Sequence, residues 1–177
     1  ILIEFSSTAT AVFGVYFKLQ GFIFMPIFGM NNGLVPIVAY NFGARRKDRM
    51  MGTYKLALFS AIGIMLVGVI MFEIFPKQLF LLFGASEYML GMGVPALRII
   101  AFHFPIAAFC IVTGSVFQAV GKAVYSMINS ICRQLVVLLP AAYILAQFGE
   151  VNYVWFAFLI AEGVSMLLTA VFFKKVY

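Results

Sequence analysis

From Thr8 to Ala44 the chain carries a single charged side chain, Lys18, among apolar and small residues. A helix crossing the hydrocarbon core of a bilayer needs about 20 mostly apolar residues, and a run this long is foreign to the surface of a water-soluble domain. Four more such runs follow. They cover about 55–75, ending at Pro76; about 88–120, with Arg98, Pro95 and Pro105 inside; about 123–148, with Arg133; and about 153–173, with Glu162. Gly121-Lys122 and Gly149-Glu150 form short polar turns between the last three. Only 10% of residues are charged and 64% are hydrophobic, which excludes a cytosolic enzyme, a disordered tail and a nucleic-acid module. The reading is an all-α integral membrane protein of five transmembrane helices, with membrane lipid as its surroundings and no nucleic-acid partner.

The first run, about 8–44, is too long for one upright helix, and Pro26, Gly29, Gly33 and Pro36 predict a kinked end. Arg45-Arg46-Lys47-Asp48-Arg49, with Lys55 behind, is the strongest basic cluster and marks a cytoplasmic loop. Alternation then puts Lys122 and Lys174-Lys175 on the same side, so that the amino-terminal end lies outside and the carboxyl-terminal end inside. The chain opens Ile1-Leu2-Ile3-Glu4 without Met or a basic leader, and reads as part of a longer protein. Cys110 and Cys132 lie in apolar runs and read as small core residues.

Polar residues inside these runs carry the functional signal. Tyr16, Gln20, Ile27 and Asn31 share a helical face, which lines either a neighbouring helix or a water-filled cavity. His103, Cys110, Thr113 and Gln118 form a second mildly polar stripe, in which His103 is either a hydrogen-bonded structural residue or a proton relay. Glu162, near the middle of the last span, is either a cation or proton site or a carboxyl bonded to a basic neighbour such as Arg133. Ala157, Ala161, Ser165 and Thr169 repeat every four residues beside it, a ridge along which another helix can pack closely. Arg133 and Lys18 read as snorkelling toward an interface. No catalytic set, cofactor motif or metal-ligand spacing is present in the sequence.

The residues also resemble a known family. Gly14 to Gln20, then Pro26, then Gly29 to Arg45 with its Pro36, Asn41, Gly43, Ala44 and Arg45, and Arg49 beyond, look like the multidrug and toxic compound extrusion (MATE) transporters, nearest to a bacterial branch. Pro95 to Ile99, Phe117 to Gly121, Arg133-Gln134, Leu139-Pro140, Val154 to Ala157 and Ala161-Glu162 agree in family order. The resemblance implies two six-helix bundles related by pseudo-symmetry. This chain would match helices eight to twelve, with helix seven and the amino-terminal bundle outside it. It further implies a cation-coupled antiporter of the bacterial cytoplasmic membrane that exchanges organic, often cationic and amphiphilic, compounds for sodium or protons by alternating access. Tyr16, Gln20, Asn31, His103 and Gln118 would line the substrate cavity. Several branches of the family bind the cation on carboxylates of helices seven and ten. Here the matching helix ten has neither Asp nor Glu in its apolar stretch, so coupling would rest on an acid in the amino-terminal half, with Glu162 a secondary candidate. A lipid-linked oligosaccharide flippase would need more cavity cations than Lys18, Arg98 and Arg133, and a non-transporting membrane subunit would have little use for two polar stripes.

Overall fold

The computed structural model describes residue 2 and residues 6–176. The described residues form helices only: α1 (Ser7–Gly43), α2 (Lys47–Ile74), a short α3 (Pro76–Leu81), α4 (Glu87–Ala101), α5 (Phe104–Ala119), α6 (Ala123–Ile131), a π-helical stretch (Cys132–Leu138) continuing into α7 (Leu139–Ala146), and α8 (Val151–Val176). Four helices are long and apolar enough to cross a membrane by themselves: α1, α2, the continuous 123–146 helix and α8. Together α4 and α5 make a fifth span, bent by 49°. This is the all-α, five-pass arrangement the apolar runs imply.

Two expectations from the runs need correction. The span at about 88–120 is two helices rather than one. Pro105 has no N–H with which to bond the Ala101 carbonyl, so α4 ends there and α5 starts afresh from the His103 carbonyl, which accepts the Ala107 N–H at 2.9 Å. The second helix begins at Lys47 instead of about 55, because Asp48 lies in its first turn, where the helix dipole favours a carboxylate, and the basic side chains stay in water. The remaining bounds differ by a few residues, and α1 runs unbroken through both Pro26 and Pro36. Its 37 residues reach about 55 Å, well beyond the ~30 Å hydrocarbon core. Pro140 lies within the first two residues of α7, directly after the π-helical stretch. A proline withholds the N–H expected four residues back, and a wider turn accommodates the loss.

The α1–α2 connection is built by the family-like segment. Arg46 N–H bonds the Asn41 carbonyl at 2.8 Å and Arg45 N–H bonds that of Phe42 at 3.0 Å, a paired C-terminal cap that needs a left-handed residue between them. The same pairing closes α5, from Lys122 to Phe117 at 2.7 Å and from Gly121 to Gln118 at 3.1 Å, with Gly121 at φ 76°. In the first turn the left-handed residue is Arg45, at φ 58°. A side chain there is strained by about 1 kcal/mol, so Arg45→Gly is expected to stabilise the bundle by about that amount in thermal unfolding in detergent. A loss of stability would show that the Arg45 side chain makes interactions worth more than its strain. Asn41 tightens the same cap through its Nδ2, which donates to the Ile37 carbonyl at 2.8 Å.

Each long helix buries one stripe and leaves the rest toward lipid or a neighbour. On α1 the buried residues include Val12, Tyr16, Leu19, Ile27, Asn31, Leu34, Val38 and Asn41, spaced as one helical face, while Phe17, Phe22 and Tyr40 are exposed. The core packs α1 on α2, α2 on α5, and α8 behind α5 and the 123–146 helix. The ridge Ala157, Ala161, Ser165 and Thr169 is fully enclosed in that packing.

Candidate functional site

Glu162 is the twelfth residue of α8, about 17 Å from its start and therefore near mid-membrane. Arg133 comes to it from the start of the π-helical stretch. Its Nη1 donates to both carboxylate oxygens, at 3.1 and 3.4 Å, and Glu162 is 3% exposed. Of the two readings of Glu162, the structure shows the bonded carboxyl. Arg133 correspondingly turns inward rather than snorkelling, because a buried carboxylate in low dielectric repays a partner that an interface would not supply. Lys18 points away, with Nζ 5.8 Å from the centre of the Phe83 ring. Arg98 pairs with Glu73 at 3.7 Å.

Two cavities flank this ion pair, and Arg133 and Gln20 line both. The larger, about 460 Å³, takes Asn31 from α1, Gln118 from α5 and Asn129 from α6. The smaller, about 210 Å³, takes Tyr16, His103 and Glu162. The sequence-derived candidates Tyr16, Gln20, Asn31, His103, Gln118 and Glu162 thus fall on the walls of two adjoining spaces. Pro36, Asn41, Gly43, Ala44 and Arg45 line neither, and the last four of them form the end of α1 and its turn.

The polar groups differ in how they are engaged. His103 Nδ1–H donates to the Ile100 carbonyl at the bend, which leaves Nε2 as the acceptor, and its ring meets Phe104 edge-on at 5.0 Å. The ring is thus hydrogen-bonded at Nδ1 and lines the smaller cavity. Gln118 is exposed, and its Nε2 donates to Ser126 Oγ at 3.3 Å. Asn129 and Ser165 bond reciprocally, at 2.9 and 3.2 Å, and lock α6 to α8. By contrast, the Tyr16 hydroxyl and Asn31 Oδ1 are buried with no partner among the described residues. A buried polar atom on a cavity wall is offered to whatever occupies the cavity. Thr113 faces elsewhere, bonded to the Tyr54 hydroxyl at 3.0 Å.

The polar stripe on the fourth span is the feature that sequence reasoning missed. Ser126, Asn129, Ser130 and Arg133 stand at i, i+3, i+4 and i+7, one face of a helix, and all four line the larger cavity. The signal lies in that spacing. It is masked because the two serines are small enough to pass unnoticed in an apolar run.

The MatE family model matches residues 1–144. The chain belongs to the MatE family. It is 28% identical over 167 residues to the multidrug export protein MepA of Staphylococcus saprophyticus, covering 94% of this chain and 36% of MepA. To MepA of Staphylococcus aureus strain MRSA252 it is 30% identical over 169 residues, with the same coverage of 94% and 36%. The fold overlays a crystal structure of MATE in the bent conformation with a TM-score of 0.90 at 24% identity, covering 99% of this chain and 39% of that one. The chain therefore spans little more than a third of the length of these MATE relatives.

Proposed function

We propose that the chain is the carboxyl-terminal wall of a multidrug exporter in a bacterial cytoplasmic membrane, working against an amino-terminal bundle by alternating access. Gln20 carries the reading: it is an amide inside the apolar run of α1, shared by both cavities, in a bundle of the MatE family. An amide so placed costs stability unless it meets water or a ligand, and a transport pathway is where that cost has a use. The orientation follows the basic turn at Arg45 to Arg49, with the start of α1 outside and the end of α8 in the cytoplasm. Substrates are organic amphiphiles, and the coupling ion is sodium or a proton. Glu162 is engaged by Arg133, so the coupling carboxylate belongs to the rest of the protein. The cation-rich flippase cavity finds little support, since among the described residues Arg133 is the one charged residue on the larger cavity and Lys18 and Arg98 line neither.

The test is Gln20→Ala in the complete native protein. Resistance or dye efflux is expected to change several-fold for at least one substrate while the amount of protein in the membrane stays constant. Unchanged export of every compound tried counts against the proposal. Thiol labelling of cysteines placed at Gln20 and Asn31 separates it from a non-transporting subunit: a transporter lets a water-soluble maleimide reach them, and a purely packed interface does not.

A further inference from the structure

We propose that the first turns of α2 carry a binding site for an anionic glycerophospholipid, with Arg49 and Lys55 holding the phosphate and Leu56 and Phe59 an acyl chain. Arg49, Gly52, Lys55 with Leu56, and Phe59 recur at steps of three and four, so they share one face of the helix, and all are exposed. Charge occupies the beginning of that face and apolar surface the rest, with Leu56 70% and Phe59 71% exposed. Arg49 and Lys55 stand about 9 Å apart along the axis, and Phe59 lies ~6 Å further on. A phospholipid presents the same order, from phosphate to hydrocarbon. Gly52 makes room for it. A helical side chain leans toward the start of its helix, so the Lys55 ammonium reaches back over Gly52 toward Arg49, and a Cβ built on Gly52 would meet nothing within 4 Å.

The packing of the bundle gathers more positive charge at this end. Arg45 and Arg46 stand exposed in the turn before α2. Phe173 stacks on Tyr54 with ring centroids 5.2 Å apart, which brings Lys174 and Lys175 of α8 to the same end. Tyr125, near the start of α6, stacks on Phe172 at 4.7 Å and brings Lys122 with it. Against these cations, Asp48 is the one acid in segments 45–55, 122–125 and 172–175. A phosphodiester offers two oxygens to the planar fork of Arg49, and Lys55 adds a point charge where the apolar run begins. The choline of a zwitterionic headgroup would meet the same cations repulsively. The site does not depend on what the bundle transports, since it needs only that α2 spans a membrane.

The test is native mass spectrometry of the complete native protein in detergent, titrated with dioleoyl phosphatidylglycerol or dioleoyl phosphatidylcholine, which share their chains and differ in headgroup charge. The wild type is expected to hold phosphatidylglycerol about twentyfold more tightly, the usual worth of two cations at an anionic surface. Arg49→Gln with Lys55→Gln is expected to bind the two lipids alike. Lys174→Gln with Lys175→Gln removes the same charge from the same end but leaves this face intact, and is expected to lower the preference by no more than about twofold. Gly52→Leu keeps every charge and blocks the path of Lys55, and a several-fold loss of phosphatidylglycerol affinity is expected, which serves as the readout should the charge variant fail to reach the membrane. A wild type without preference overturns the proposal. So does an equal loss in the two charge variants, because the attraction would then belong to the whole basic end and not to a site. Displacement of the lipid by an equal concentration of glycerol 3-phosphate would show a site for a water-soluble phosphate and overturns the lipid as its occupant.

Discussion

Arg133→Met is expected to destabilise the bundle by about 3 kcal/mol, the largest effect of any single substitution on the cavity walls, because it strands Glu162. The carboxyl is 3% exposed, and the two Nη1 contacts from Arg133 are its only hydrogen bonds among the described residues. Without them the group must either stay ionised at mid-membrane or take up a proton, and both cost free energy relative to the paired state. The lower end of the usual range for a broken buried pair applies, since the arginine is itself one-third exposed and gives up some solvation already. Adding Glu162→Leu to Arg133→Met is expected to restore most of the loss, since two apolar side chains of similar volume replace two charges. Unfolding by SDS titration in mixed micelles gives both values. If the double variant is as unstable as the single one, the ion pair is not the source of the effect.

Gly68→Leu is the second large effect, expected to cost about 2–3 kcal/mol, against near zero for Gly63→Leu on the same helix. A Cβ built on Gly68 would sit 2.7 Å from Ile23 Cγ2, 3.1 Å from Ile23 Cδ1 and 3.3 Å from Phe104 Cδ2. Three helices meet there: α2 carries the glycine, α1 the isoleucine and α5 the phenylalanine. The ring has little room to retreat, with Phe24 edge-on at 5.4 Å and Phe72 at 5.2 Å. In lipid, where helices associate mainly by close packing, a forced separation loses those contacts without recovering a hydrophobic term. A Cβ on Gly63 would meet nothing within 4 Å, and the residue is exposed, so leucine there adds lipid contact only. The same SDS titration compares the two, and an equal cost at both positions would refute the crossing argument.

The bend between α4 and α5 shows where a sequence signal was real but its consequence was not readable. Pro105 is visible in the sequence, and so is the rule that proline lacks a donor. Pro26 and Pro36 obey the same rule, yet α1 passes through both without a break. Whether a proline breaks a helix or is absorbed depends on what holds the flanking turns. Around Pro105, Phe104 is clamped among Phe24 and Phe72 and His103 is tied to Ile100, which keeps the two halves apart at 49°.

What the sequence determined by itself is the class and the register of the spans. Twenty apolar residues in a row have one stable environment, and the spacing of Tyr16, Gln20 and Asn31 places them on one face whatever the neighbours are, because about 3.6 residues per turn is a local property of the backbone. What only the tertiary structure decided is the partner of each polar group. Glu162 offered two readings and Arg133 two directions, and neither choice is local: residues 29 positions apart in sequence meet only when α8 packs on the π-helical stretch. The closeness of Gly68 to Ile23 and Phe104 is decided in the same way. Periodicity says which face a side chain occupies, and the crossing of helices says what that face touches.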